Sequence, residues 1–308
     1  MPVRPATFSI VARDPAQEAI GIAVQSKFVS VGSVVPFAAA DAGGIATQSY
    51  ANVAYGPDGL AVLRSGADAE AVIDELIEDD EEAESRQVGI VGQNGSVAAF
   101  TGEECLDHAG DRQGEHYTIQ GNILEGPDTL DAMAEAYETT AGGLPERLIA
   151  ALKAGNEAGG DRRGEQSAAM YVVKPEGGYD GRNDRWIDVR VDDHESPIAE
   201  LERVFRIYDV TLLERAEPED LRELSGSTAE SVLEILVTLD HYDGTPTTAM
   251  GEEEREALEE FRGVNNFENH SLAVLEDAIA RGWEDAEGTG SDRLVNAIWH
   301  GLSRLERA

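Results

Sequence analysis

The first two hundred residues of this chain carry strand-like and helical segments in an order that a parallel α/β fold does not have. Alternating or short apolar runs predict four strands, one helix, three strands, two helices and two further strands. A parallel sheet needs a crossover between successive strands, whereas most of these strands follow one another directly. The sequence therefore predicts an α+β fold, in which two mostly antiparallel sheets stack between helices as a four-layer αββα sandwich. The strands are expected at residues 7–12, 19–24, 34–40, 44–48, 87–91, 97–101, 117–121, 167–173 and 187–191.

The pattern of apolar residues changes after Asp209, where strand-like runs disappear. Helical spacing of apolar residues dominates from Pro218 to the end of the 308 residues. We therefore predict two domains: a sandwich domain at residues 1–211 and a small all-α domain at residues 212–308. In the first domain, we expect a helix at residues 68–77, a second helix capped by Asp128 and a third helix opened by Pro145.

Acidic residues far outnumber basic ones: 61 Asp and Glu against 24 Lys and Arg give a formal net charge of −37. Self-repulsion of this size destabilises a compact state at low ionic strength, and the Debye length falls to about 3 Å near 1 M salt. We interpret the charge as adaptation to a very salty cytoplasm, as in extreme halophiles. It argues against nucleic acid and anionic membranes as partners. An acidic surface that recruits a basic partner is the alternative.

Targeting and redox features agree with a cytoplasmic location. No stretch approaches eighteen consecutive apolar residues, and the N-terminal sequence lacks the pattern of a secretory signal. Cys105 is the single cysteine, so an internal disulfide and a CxxC metal site are excluded. Acids at Glu103 and Glu104 disfavour its thiolate, and we expect Cys105 to be structural.

Polar residues within apolar strands are the candidate site residues, because the GxSxG, GxxxxGK[ST], GxGxxG and HExxH signatures are all absent. Lys27 stands out among them, since the chain contains only three lysines. A lysine whose amine reaches solvent at a sheet edge is the alternative interpretation. The candidates on or next to strands are Thr7, Ser9, Ser26, Lys27, Thr47, Gln48, Gln120 and Asn122.

The glycine-rich run at residues 159–164 is a second signal. Its glycines allow close backbone approach, and Asp161 beside Arg163 can pair with a carboxylate of the protein or of a ligand. A helix end with a structural Asp–Arg bridge is the alternative. The acid-acid-histidine run at residues 192–194 is better explained as a turn than as a cation site. We predict neither a metal nor a cofactor.

Several motifs together resemble the DUF1028 family. They are TFSIVARDP at 7–15, GIAVQSKFVSV at 21–31, ATQSYANVAYG at 46–56, QGN at 120–122, GGDRRGEQSA at 159–168 and NDRWIDVRVDDH at 183–194. The resemblance covers about residues 5 to 209. It implies an N-terminal-nucleophile (Ntn) hydrolase-like αββα sandwich, in agreement with the order of strands and helices. The family implies a fold rather than a defined substrate.

The helical region also has a resemblance. LVTLDHYDG at 236–244, with residues 257–261 and 265–268, is similar to a peptidoglycan-binding domain that accompanies some DUF1028 proteins. Ordinary peptidoglycan is absent from halophilic archaea, so we interpret this region as a dimerisation or docking module.

The Ntn resemblance implies that Thr7 is the nucleophile and that its own α-amino group is the base. By the same analogy Lys27 would activate the nucleophile, and Gln48 or Asn122 would help to stabilise an oxyanion. The substrate-binding residues implied by the resemblance are Ser9, Ser26, Gln48, Asn122, Asp161 and Arg163. Six residues precede Thr7, so this mechanism needs cleavage of the Ala6–Thr7 bond.

Two classes of function follow. In the first, the protein is an amidohydrolase that acts on a small linear amide, a ureido compound or a peptide. In the second, it is a catalytically inactive Ntn-like scaffold that binds a small metabolite or partner. An uncut chain would favour the scaffold, or an internal nucleophile such as Ser9 or Ser26. We also expect a homo-oligomer, because stacked sheets leave edges and apolar faces that proteins usually cover.

Overall fold

The computed structural model describes residues 7–106 and 108–308. Its contacts divide the chain into two units, one ending at Val204 and the other comprising Phe205–Ala308. Helix α5 (Pro197–Leu212) crosses this division. The boundary predicted near residue 212 lies at the end of the same helix and stays a prediction.

The N-terminal unit contains a six-stranded antiparallel sheet with the order β10-β9-β2-β1-β8-β7. Its central strands β1 and β2 are buried along nearly their whole length, as their apolar sequences require. The strands of this sheet are β1 (Thr7–Asp14), β2 (Ala19–Ser26), β7 (Gly110–Gly114), β8 (Tyr117–Asn122), β9 (Ser167–Val173) and β10 (Arg185–Val191).

A second antiparallel sheet has four strands in the order β3-β4-β5-β6. The turn between its last two strands contains Asn94-Gly95, and Gly95 has a φ of +90°, a conformation that glycine adopts without strain. The strands are β3 (Pro36–Ala39), β4 (Gly43–Ser49), β5 (Arg86–Gly92) and β6 (Val97–Thr101).

Helices cover the outer faces of both sheets. On the larger sheet, α4 packs against β1 and β2, and α3 packs against β7 and β8. On the smaller sheet, α1 packs against β3 and β4, and α2 packs against β5 and β6. The inner faces meet in a core that includes Val11, Ile22, Ala46 and Val91. The helices are α1 (Tyr55–Arg64), α2 (Ala69–Glu78), α3 (Asp128–Thr139) and α4 (Leu144–Glu157).

The predicted α+β class, with antiparallel sheets and a helical C-terminal region, is confirmed. The predicted strands at residues 97–101 and 167–173 have the bounds of β6 and β9. The sequence did not predict α1, β7 or α5. Asp128 is the first residue of α3 rather than its cap. The Ntn-like character of the sandwich stays a prediction.

The C-terminal unit is built from helices that enclose their own apolar core. Leu233, Leu258, Phe261, Leu275 and Ile298 are buried at its centre. Among the residues that the structure describes, no helix is long and apolar enough to span a bilayer. The helices are α6 (Gly226–Thr238), α7 (Glu252–Val264), α8 (Leu272–Gly282) and α9 (Gly290–Leu302).

Candidate functional site

The N-terminal unit holds a cavity of about 280 Å³ at the end of the stacked sheets where β1 begins and β4 ends. Most of its wall is apolar, and Thr7, Gln48 and Ser49 contribute hydroxyl and amide groups. Two apolar residues of the wall, Phe28 and Tyr50, are 39% and 41% exposed. A mostly apolar cavity with a few polar groups is typical of a small-molecule site. The lining residues are Thr7, Phe28, Val31, Val34, Val35, Gln48, Ser49, Tyr50, Ala51 and Arg86.

Thr7 is the first residue of β1 and is only 2% exposed, although it lines this cavity. In the sheet it lies opposite Ser26 of β2 on one side and opposite Asn122 of β8 on the other. Its Oγ1 is 3.1 Å from Ser26 Oγ. The structure therefore brings three predicted site residues together at one end of the central strands.

A network of buried side chains continues from Thr7 into the space between the sheets. Gln120 Nε2 donates to Ser9 Oγ (2.6 Å), and Ser9 Oγ donates to Gln48 Oε1 (2.7 Å). Gln48 Nε2 donates to Gln87 Oε1 (2.8 Å) and to the Gln120 carbonyl (3.2 Å). Gly89 admits this network, because a Cβ there would lie 2.0 Å from Gln120 Oε1. A polar network of this kind, in which the buried side chains bond to one another across the sheets, favours one packing of the two sheets.

Gln87 fixes the orientation of the amides around it. Its Nε2 donates to the Gly121 carbonyl (2.9 Å), the Gly110 carbonyl (3.1 Å) and Thr101 Oγ1 (3.0 Å), which identifies this atom as the nitrogen. Its Oε1 therefore faces Gln48 and Asn122, and Asn122 Nδ2 donates to it at 2.9 Å. The opposite atom, Asn122 Oδ1, is buried and has no hydrogen-bond partner.

Three other predicted site residues form a separate cluster outside the cavity lining. The Asp161 carboxylate accepts the backbone N–H of Lys27 (2.7 Å) and of Arg163 (2.8 Å), and it pairs with the Arg163 guanidinium (2.9 Å). The Lys27 side chain is exposed, and its Nζ donates to the Glu165 carbonyl (2.9 Å). The amine of Lys27 is thus hydrogen-bonded to Glu165, whereas the hydrogen-bond neighbour of Thr7 Oγ1 is Ser26 Oγ. The catalytic role of Lys27 and the substrate-binding roles of Asp161 and Arg163 stay predictions.

This second cluster, together with Ser167 of β9, holds the segment that forms one side of the cavity. Ser167 Oγ donates to the Phe28 carbonyl and accepts the Val31 N–H (3.1 Å), while Asp161 holds the Lys27 N–H. Phe28 and Val31 line the cavity. Asp161 of the glycine-rich run and Ser167 of β9 therefore both hold the backbone of residues 27–31, which forms this side of the cavity.

Arg86, the charged residue of the cavity wall, is paired with carboxylates of the protein. Arg86 donates to Asp80 (3.0 Å), to Glu82 (2.7 Å) and to the Tyr50 carbonyl (2.6 Å). The hydrogen bond from Arg86 holds the pKa of Asp80 well below its usual range, and the Tyr55 hydroxyl also donates to Asp80 (2.8 Å). The cavity therefore offers hydrogen-bonding groups but no uncompensated charge on this wall.

Sequence reasoning missed Ser49, Gln87 and Arg86. Ser49 ends β4 with a φ of +67° and lines the cavity. Cys105 Sγ donates to Ser49 Oγ (3.5 Å), and burial raises the pKa of the Cys105 thiol. The polar end of β4 signalled Ser49, since it directly follows Thr47-Gln48. In residues 7–106 and 108–308, no group of three His, Cys, Asp or Glu side chains is arranged to hold a metal ion.

These features define a two-unit protein, in which an antiparallel α+β sandwich with a threonine-lined cavity is followed by a helical unit. The model described as "Family of unknown function (DUF1028)" matches residues 7–201, and the chain belongs to this family. A second model, described as "Putative peptidoglycan binding domain", matches residues 211–299. Both resemblances predicted from the sequence are thereby confirmed.

A solved structure is similar to the N-terminal part of the chain. It is the crystal structure of protein SPO2555 from Silicibacter pomeroyi, a DUF1028 protein whose sequence is 32% identical to this chain over the match. The match covers 66% of this chain and 89% of that chain, with a TM-score of 0.60. Among curated proteins, none matches the chain.

Proposed function

We propose that the N-terminal unit hydrolyses the amide bond of a small, uncharged molecule, with Thr7 Oγ1 as the nucleophile. The observation that supports this best is the position of Thr7, which lies on central strand β1 and is the residue of that strand that lines the cavity. Substrates of this class are linear amides, ureido compounds and short peptides. The size of the cavity, about 280 Å³, favours the smaller of them.

The reaction needs a base beside Thr7 Oγ1. Its hydrogen-bond neighbour, Ser26 Oγ, does not take up a proton near neutral pH. The α-amino group of Thr7 becomes available if the Ala6–Thr7 bond is cut, and it titrates near pH 8 in an unperturbed chain, at about 7.7–8.0. The proposed active form therefore begins at Thr7.

The proposed reaction has two stages, formation of an ester on Thr7 and its hydrolysis by water. The Thr7 amine takes the proton of Oγ1 as this oxygen bonds to the substrate carbonyl carbon. The C–N bond then breaks, and the leaving nitrogen receives that proton. A water molecule next attacks the resulting ester, gives a proton to Thr7 Oγ1 and releases the carboxylic acid. Both Nε2 hydrogens of Gln48 are bonded within the network, so we assign the donor to the substrate oxygen to the hydroxyl of Ser49 on the cavity wall.

The experiment compares chains that begin at Thr7, made with an initiating methionine that the host removes. We expect turnover of small neutral amides, and a Thr7-linked acyl adduct seen by mass spectrometry when slow substrates are used. Thr7→Ala should lose both. Thr129→Ala is the matched control, because Thr129 is a fully buried threonine of the same unit on α3. Equal turnover by Thr7→Ala and the parent chain would refute the proposal.

A binding protein without turnover is the second candidate. The observation that favours it is the pairing of the nearby cations, since Arg86 and Lys27 are both held by oxygens of the protein. Such a protein would bind a small uncharged metabolite in the cavity with Thr7 still amide-linked. Intact mass of the protein from its native host separates the two: a mass starting at Thr7 favours the hydrolase, and an earlier start favours binding.

We further propose that the protein works in a cytoplasm of high salt as a homo-oligomer, and that the C-terminal unit docks or dimerises. The net charge of −37 supports the high-salt environment. The exposed side chains Val237 and Val264 of the C-terminal unit, 38% and 67% exposed, supply apolar surface for association. Light scattering in concentrated KCl tests this, and a monomeric mass at every protein concentration would refute the assembly.

A further inference from the structure

The buried oxygen Asn122 Oδ1 is an acceptor for which the described network provides no donor. Its orientation follows from Gln87, whose Oε1 accepts from Asn122 Nδ2 at 2.9 Å and so turns the oxygen of Asn122 away. Flipping the amide would set two oxygens against each other. An unpartnered carbonyl without solvent exposure is costly, which makes a donor at this position favourable.

The backbone nitrogen of Thr7 points toward the strand that carries Asn122. Arg13 N donates to the His116 carbonyl, so this residue of β1 turns its backbone groups toward the β8 side. Alternate residues along a strand turn their backbone groups to the same side, and the register of β1 with β8 runs without interruption to the pair Thr7–Asn122. Thr7 N therefore lies on the β8 side, beside Asn122.

Cleavage before Thr7 changes the number of hydrogens on this nitrogen. The peptide N–H has one hydrogen, which the strand ladder uses, whereas a neutral amine has two and an ammonium has three. The additional hydrogens need acceptors, and the buried Asn122 Oδ1 is an acceptor to which no described residue donates. Asn122 lies directly opposite Thr7, with side chains of opposed residues about 4.5–5.5 Å apart at Cβ.

We propose that Asn122 is a positioning residue that holds the α-amino group of Thr7 through Asn122 Oδ1. The inference rests on the proposed function, because it concerns the chain that begins at Thr7. By accepting amine hydrogens on the β8 side, Asn122 directs the lone pair of the neutral amine toward Thr7 Oγ1. It also stabilises the ammonium that forms when the amine takes the hydroxyl proton.

The test measures titration of the amine rather than activity alone. In chains that begin at Thr7 and carry ¹³C-labelled threonine, the Thr7 Cα shift is followed from about pH 5 to pH 10. Asn122→Leu removes the acceptor at similar volume, and its titration midpoint should fall by about one pH unit. Asn122→Asp keeps an acceptor and adds negative charge, so its midpoint should rise above that of the parent chain.

Gln25→Leu is the matched control. Gln25 is also fully buried in a central strand with both amide atoms unpartnered. It lies on the opposite face of the sheet, since Gly21 of the same strand and face packs against Leu148 of α4. Its replacement should leave the midpoint unchanged, which separates the loss of a buried amide in general from the loss of Asn122.

An ordered midpoint, lowest for Asn122→Leu and highest for Asn122→Asp, supports the inference. Identical midpoints for the parent chain and either folded variant overturn it, and Asn122→Asp provides this result if Asn122→Leu does not fold. The two proposals can fail separately. An ordered series without amide turnover refutes the hydrolase alone, whereas turnover with an unmoved midpoint refutes the role of Asn122 alone.

Discussion

The carboxylate of Asp161 joins the glycine-rich run to the cavity wall, and Asp161→Asn isolates its charge at constant shape. The side chain has no exposed surface and accepts two backbone N–H groups, those of Lys27 at 2.7 Å and Arg163 at 2.8 Å. It also pairs with the Arg163 guanidinium, which is 22% exposed. An asparagine keeps one oxygen and turns an NH₂ group toward the remaining donors. We therefore expect the backbone at Lys27 and Phe28 to be held less firmly, and with it this side of the cavity wall.

The burial of the Asp161 carboxylate sets the expected loss of unfolding free energy in Asp161→Asn. Removing one partner of a buried pair costs about 3–5 kcal/mol, and the partial exposure of Arg163 puts Asp161→Asn near the lower end, about 3 kcal/mol. Asp41→Asn is the matched control, because Asp41 pairs with Arg64 at 2.9 Å with side chains 68% and 46% exposed. An exposed pair contributes about 0–1 kcal/mol.

The assay is urea unfolding in concentrated KCl, with hydrogen exchange of β1 and β2 as the readout for the N-terminal unit. Salt screens the exposed Asp41–Arg64 pair and leaves the buried carboxylate of Asp161 largely unscreened. We expect a much lower urea midpoint for Asp161→Asn than for Asp41→Asn. Similar midpoints for the two variants would show that the buried carboxylate does not hold the segment, and the reasoning would be wrong.

The remaining predictions concern pH and salt. The hydrogen bond from Arg86 lowers the pKa of Asp80, so the stabilisation from the ionised carboxylate is complete above about pH 4 and is lost as the pH falls through the pKa of the folded state. The difference in unfolding free energy between the parent chain and Asp80→Asn should therefore shrink in acid, and a constant difference would contradict this. Burial lowers the pKa of His270, whose Nε2 lies 2.8 Å from the Val210 carbonyl. The C-terminal unit should therefore lose stability as the pH falls below about 6.5, and His270→Phe but not the exposed His300→Phe should remove this loss in hydrogen exchange. With a net charge of −37, the melting temperature should rise from about 0.1 M to about 2 M KCl more than in sucrose of equal osmolarity, and equal rises would refute the charge argument.

The period of apolar residues was sufficient to predict nine of the ten strands that the structure describes in the two sheets but not β7, and not every helix. Helix α1 was missed because Gly56, Pro57 and Gly59 weaken its helical signal. The tertiary structure explains both glycines: a Cβ at Gly56 would lie 2.2 Å from the Phe37 ring, and one at Gly59 would lie 2.6 Å from Ile45. Close packing of the helix on its sheet thus overrides local propensity.

The candidate site shows a similar division. The sequence indicated Thr7, Ser9, Ser26, Gln48 and Asn122, because each is polar within an otherwise apolar strand. The structure places all five at one end of the stacked sheets. Their common location could not be read from the chain, since the contacts depend on strand order and register in two different sheets.

The sequence by itself determined the net charge, the apolar pattern along the strands and the chemical type of each polar side chain. These are properties of single residues and their neighbours along the chain. Only the tertiary structure decided that Lys27 turns to Glu165, that Asp161 serves the backbone of Lys27, and that Gln87 fixes the amide of Asn122. These outcomes depend on hydrogen bonds between residues 35 to 138 positions apart. Which of several donors reaches a given acceptor is fixed only when the sheets pack, since a shift of one residue in register turns every side chain to the opposite face.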